Sequence, residues 1–157
     1  MKVNFKVLPL SNFLFESFFS MNDNGLRQNN AAWIDVDANP GYPCRVSLED
    51  ARVGERVLAI PFTHHDVKSP YKSSGPIFVR ENVEQAVTEI NEIPLMLRHR
   101  KLSVRGYSSK AMMLVAEVVE GKQLKEHIIR IFQDSAVEYI HIHNAMPGCF
   151  NCSVIRV

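Results

Sequence analysis

The last third of the chain restricts the fold most. Leu102–Tyr107, which alternates apolar and polar residues, and the largely apolar Met112–Val119 flank Ser108-Ser109-Lys110, which predicts a β-hairpin. Lys122–Gln133 then changes to a helical period, with Leu124, Ile128, Ile131 and Phe132 on one stripe. Val137–His143 and Phe150–Val157 return to strand character across the turn Met146-Pro147-Gly148. The order β-β-α-β-β follows. Such a unit buries one sheet face under its helix and leaves the other to be covered or solvated.

The preceding segments extend the pattern. Lys2–Leu8, Ala31–Val36, Arg56–Phe62 and Pro76–Arg80 read as strands. Apolar residues on both faces of Val57-Leu58-Ala59-Ile60 suggest a strand covered on two sides. Ser11 suits the N-cap of a short helix through Phe19, which Asn22-Asp23-Asn24-Gly25 would end. Val83, Ala86, Val87 and Ile90 give Asn82–Ile90 a helical period, and Pro94 fits N1 of a further short helix to about Arg100. Asn39–Pro43 and His64–Gly75 read as loops. The expected fold is therefore α+β: a single domain spanning 1–157, with a mixed, largely antiparallel sheet and three to four helices.

Composition narrows the function classes. With 46% hydrophobic residues and a net charge of +1, the 157-residue chain can build a core. It carries no basic run that would neutralise a phosphate backbone, so no nucleic-acid partner is expected. No apolar window is long enough for a membrane span, and Ser11, Asn12 and Glu16 break the apolar start that a secretory signal needs. Three cysteines, Cys44, Cys149 and Cys152, do not make a disulfide framework. A reduced, cytoplasmic setting is the expectation.

Reactive side chains gather in three places. His141 and His143 lie two apart on a strand and so share a face with Tyr139, about 7 Å from each other. They could act on one substrate or ligate one metal; the bland alternative is an ordinary half-exposed strand. Cys149 and Cys152 extend the pair to H-x-H-x5-C-x2-C, a possible zinc set, against two half-buried thiols in a core. Cys44 sits beside Arg45, whose charge would favour a thiolate and whose planar fork suits a carboxylate or phosphate. The alternative is a buried thiol and a solvated arginine. His64, His65 and Tyr71 occupy the loop after the central strand, where sites commonly form. Arg80 and Arg105 lie on strands and suit anions or structural pairing. Glu117 is flanked by apolar residues, with Arg105 as a candidate partner across the hairpin. His127 reads as packing at a helix edge. No nucleotide, hydrolase or metalloprotease motif occurs.

Three segments carry a resemblance. They are Gly41-Tyr42-Pro43-Cys44-Arg45-Val46-Ser47-Leu48-Glu49-Asp50-Ala51, Ser69-Pro70-Tyr71 continued by Gly75-Pro76-Ile77-Phe78-Val79-Arg80-Glu81, and Tyr139–Ala145 with Pro147-Gly148-Cys149. With them the chain resembles, from about residue 40 to 157, the small bacterial family catalogued as domain of unknown function 1203. The resemblance implies one domain and no assigned activity. It ranks Cys44, Arg45, His64, Tyr71, Arg80, Arg105, His141, His143, Asn144 and Cys149 as matching positions. Cys152 and His65 depart from the pattern, which weakens the zinc set.

The expected function is a site for a small anionic ligand. Cys44, His141 and His143 are its catalytic candidates, and Arg45, His64, Tyr71, Arg80, Arg105 and Asn144 its ligand-binding ones. No metal or cofactor is expected. A non-enzymatic sensing or interaction module, with a homodimer possible, is the alternative; a zinc protein is the weaker one.

Overall fold

The computed structural model describes residues 2–157. Five strands form one sheet: β1 (Phe5–Leu8), β5 (Lys101–Tyr107), β6 (Met113–Glu120), β7 (Tyr139–Asn144) and β8 (Phe150–Arg156). Its order is β1-β8-β7-β5-β6, and every neighbour is antiparallel. Three strands form a second antiparallel sheet in the order β2-β3-β4, from β2 (Ala32–Asp35), β3 (Arg56–His65) and β4 (Ser73–Arg80). Four short helices complete the α+β domain: α1 (Glu16–Phe19), α2 (Asp23–Gln28), α3 (Leu95–Arg98) and α4 (Leu124–Ile131). The expected β-β-α-β-β unit is thus β5-β6-α4-β7-β8. The expected single sheet divides in two.

Alternation along the strands decides which face is core. Leu102 and Val104 of β5, Ile140 and Ile142 of β7, and Cys152 and Val154 of β8 face α4, whose Leu124, Ile128 and Ile131 close over them. Each fully buried aliphatic side chain there contributes about 1.5–3 kcal/mol. A second core joins Phe15, Leu26, Val46, Leu58, Ile60, Ile77 and Val79 between the N-terminal helices and the smaller sheet. Gly121 lets α3 and the start of α4 meet, because a Cβ there would lie 1.8 Å from the Leu97 carbonyl oxygen.

Three local expectations are corrected. The segment 82–90 is not helical. It crosses between the two sheets, and its polar groups bond outward: Ala86 N–H to the Val46 carbonyl and Thr88 Oγ1 to the Val7 carbonyl. Its apparent stripe does not hold together, since Val87 and Ile90 are exposed. Asn22 begins a helix instead of ending one, its Oδ1 accepting from Gly25 N–H at 2.8 Å. Pro94 caps α3 rather than entering it.

His64 and His65 are also not in a loop; they end β3. Successive strand residues normally point to opposite faces. The register of β3 against β4 shifts between Phe62 and His65, and this irregularity turns both rings toward the larger sheet.

Candidate functional site

The face of the larger sheet opposite α4 is polar and aromatic. Arg105 lies directly across from His141, Ser103 from His143, and Tyr107 from Tyr139. Phe150 of β8 faces His143. The end of β3 lies over this face, so four imidazoles meet between the sheets. The His64 ring centre is 4.9 Å from that of His143 and 6.2 Å from that of His141. His65 is 5.0 Å from His141, and His64 stacks on Phe150 at 5.1 Å. The Cys44-Arg45 loop reaches the start of β8 beside these rings: Arg45 Nε donates to the Phe150 carbonyl at 2.7 Å.

The hydrogen bonds fix two tautomers. His65 Nδ1–H donates to the Tyr71 carbonyl at 2.7 Å, so its Nε2 accepts from the Tyr139 hydroxyl at 2.6 Å. His143 Nδ1–H donates to the Gly148 carbonyl at 2.9 Å, which leaves Nε2 a bare lone pair. That Nε2, with Nδ1 of His64 and Nδ1 of His141, is shielded from solvent and has no hydrogen-bond partner. Unpaired buried polar atoms are costly and therefore uncommon in native folds.

Burial favours the neutral form of three of the rings, His64, His141 and His143. Burial, followed by neighbouring histidines and Arg105, lowers His141 to about 3. Burial lowers His64 to about 4, with His65 and Arg105 adding to it and the nearby Phe62 carbonyl offsetting part. Burial also lowers His143 to about 4, offset in part by the Gly148 carbonyl. A base this weak is poorly matched to proton abstraction near neutral pH. The rings are better suited to accept hydrogen bonds or ligate. Arg105 is half-buried and hydrogen-bonds the Ser103 hydroxyl at 3.1 Å. It has no carboxylate partner among the described residues.

The other candidates separate into two groups. Cys44 is withheld from the site: it is fully buried in the smaller sheet's core, and its sulfur accepts from Ser47 N–H and Arg80 N–H. Arg80 is committed to Glu55 at 2.7 Å and Glu49 at 3.0 Å, so it is a structural pair. Arg45 is fully buried and bonded to the carbonyls of Pro43 and Phe150, which makes it a clamp between motifs. Tyr71 contributes its carbonyl to His65 and its ring, 6.2 Å from Tyr107, to the rim. Asn144 braces the β7–β8 turn, accepting from Asn151 and donating to the Cys149 sulfur. Glu117 pairs with Arg130 and His127, not Arg105, because it faces α4 while Arg105 faces the histidines.

A cleft of about 580 Å³ opens beside this face, lined by Arg45, Phe78, Asn144, Met146 and Cys149 among others. Its wall is mostly apolar. It adjoins the histidine cluster through Asn144 and Arg45 but is not lined by the imidazoles.

The four-ligand zinc set is not assembled. Cys152 lies opposite Ile142 in the core, on the far side of the sheet from His141 and His143, and burial pushes its thiol up to about 12. Among the described residues, no three His, Cys, Asp or Glu side chains already stand in an arrangement that could hold a metal ion.

Residues 41–156 match the family described as "Protein of unknown function (DUF1203)". The chain belongs to this family. No curated protein and no solved structure matches the chain. Within this DUF1203 chain, sequence reasoning ranked His65 below its place in the cluster and missed Asn151. Reading the alternation of β3 beyond Phe62 would have carried the strand through His64 and His65. Asn151 is fully buried, and its only sequence signal is its place between Phe150 and Cys152.

Proposed function

We propose that this chain binds a small organic or inorganic anion between its two sheets, with Arg105 as the charged anchor and His141, His143 and His64 beside it. One observation carries this. Arg105 is a half-buried guanidinium without a carboxylate partner among the described residues, placed against neutral imidazoles. A guanidinium presents five donors in a planar fork, which favours carboxylate or phosphate. The adjoining cleft offers Phe78 and Met146 to an apolar body on such a ligand. Binding is favoured over catalysis, since Cys44 is sealed in the core and the histidines are weak bases.

Thermal unfolding against phosphate, citrate, acetate and benzoate tests the proposal, with Arg105→Gln as the comparison. Stabilisation of the wild type that Arg105→Gln loses supports it; no shift with any anion defeats it.

A second use is an interaction surface, favoured by β6. This strand is an edge of its sheet, and Leu114 and Val118 stand exposed along it, with Met112 exposed just before it. Self-pairing through it would give a homodimer. Sedimentation of the wild type and of Val118→Lys decides between a dimer and a monomer. Among the described residues, no helix is long and apolar enough to cross a membrane. Three free thiols support a reducing, cytoplasmic setting as part of the proposal.

A further inference from the structure

The anion site leaves one feature unused. Three sheltered ring nitrogens, His64 Nδ1, His141 Nδ1 and His143 Nε2, belong to three neighbouring rings and have no hydrogen-bond partner among the described residues. Buried polar atoms of this kind need an occupant. The tautomer of His143 defines what its Nε2 requires. Its Nδ1–H is committed to the Gly148 carbonyl, so Nε2 is an acceptor only. The Arg105 guanidinium is not hydrogen-bonded to any of the three.

From this we infer that His64, His141 and His143 form a binding site for one divalent first-row metal ion such as zinc, iron or cobalt. The inference deepens the anion site proposed above and rests on it only for the role of the open coordination position.

Size, donor type and outer contacts agree. The ring centres are 4.9, 6.2 and 6.3 Å apart. A point equidistant from all three lies about 3.4 Å from each, and a metal bound to an imidazole nitrogen sits roughly 3.2 Å from the ring centre. As they stand the three donors do not converge. Rotation about χ2 re-aims a ring nitrogen while moving the ring centre little, and that torsion has a broad, roughly two-fold preference in histidine. His143 is already held as metal ligands usually are, its second nitrogen donating to a backbone carbonyl. Imidazole donors suit zinc, copper, iron and nickel, not magnesium or calcium. Neutral rings are the ligating form. Three protein ligands leave a position open, and Arg105 beside it would hold an anion there.

The test uses the purified full chain, stripped with EDTA, dialysed, and titrated with Co2+ while its visible d–d bands are followed. One equivalent per chain with bands of nitrogen-coordinated, four- or five-coordinate Co2+ is expected. His64→Ala and His143→Ala should lose the bands, and His127→Ala should keep them. No stoichiometric uptake by the wild type overturns the inference whether or not the variants fold. Full bands in both His64→Ala and His143→Ala overturn it as well, because the metal then lies elsewhere. The anion site is judged separately, by phosphate binding to the stripped wild type and Arg105→Gln. Metal without anion, or anion without metal, therefore identifies which idea has failed.

Discussion

Arg45 Nε donates to the Phe150 carbonyl at 2.7 Å, joining residues 105 positions apart in the chain. The same guanidinium bonds the Pro43 carbonyl and sits against the Cys149 sulfur. A fully buried arginine without a carboxylate partner is tolerated here because those acceptors replace its water. Truncation leaves them unsatisfied, at about 1–3 kcal/mol for each buried group. Arg45→Ala should lower unfolding stability by roughly 2–4 kcal/mol, read from urea transitions. A loss within experimental error would show that the clamp does not hold the two motifs.

Much of the architecture was readable before the structure, and the reason is local. Ile140 and Ile142 against His141 and His143 is a period-two pattern that only one registry can bury. The stripe of α4 is equally local. What escaped was non-local. Val83, Ala86, Val87 and Ile90 mimic a helix, yet that segment is non-helical and bonds to the carbonyls of Val46 and Val7, which no short-range pattern can show. Cys44 and Arg45 are adjacent, but one enters the smaller core while the other spans the sheets. Reactive residue types revealed the histidine cluster; the register shift in β3 added His65 to it.

Acid should unfold the protein early. Burial holds His141 at about 3 and His143 at about 4, below the ordinary 6.5. The unfolded chain therefore takes up protons first as pH falls below 6.5, and stability drops until the folded rings titrate near 3–4. Each of these two rings costs at most about 1.4 kcal/mol per pH unit over that range. Glu55 and Glu117, held below their usual range chiefly by Arg80 and Arg130, add their loss only below about 4.5. Unfolding scans between pH 6.5 and 4.5 should show the histidine slope, and His141→Gln should flatten it. A flat wild-type profile in that window would contradict neutral, buried rings.

Thiol labelling should separate the cysteines. Cys44 and Cys152 are fully buried, whereas Cys149 is partly exposed at the cleft. A disulfide reagent should modify one thiol per folded chain and three after denaturation. Cys149→Ser should remove the rapid one. Rapid labelling of Cys44 instead would return it to the list of candidate nucleophiles.

The arginines should divide by role. Arg80→Ala breaks two ion pairs of a side chain that is mostly buried and should cost about 2–4 kcal/mol. Arg105→Gln removes a side chain without an ion pair and should stay within about 1 kcal/mol in urea unfolding. Equal losses would place Arg105 in the structural class.

The anion site is tested most directly by the thermal midpoint of the wild type and of Arg105→Gln at increasing phosphate, at constant ionic strength. Ligand at a hundredfold its Kd stabilises a folded chain by about 2.7 kcal/mol. The wild-type midpoint should rise by several degrees and saturate, while that of Arg105→Gln stays flat. Parallel curves for the two proteins would contradict the site.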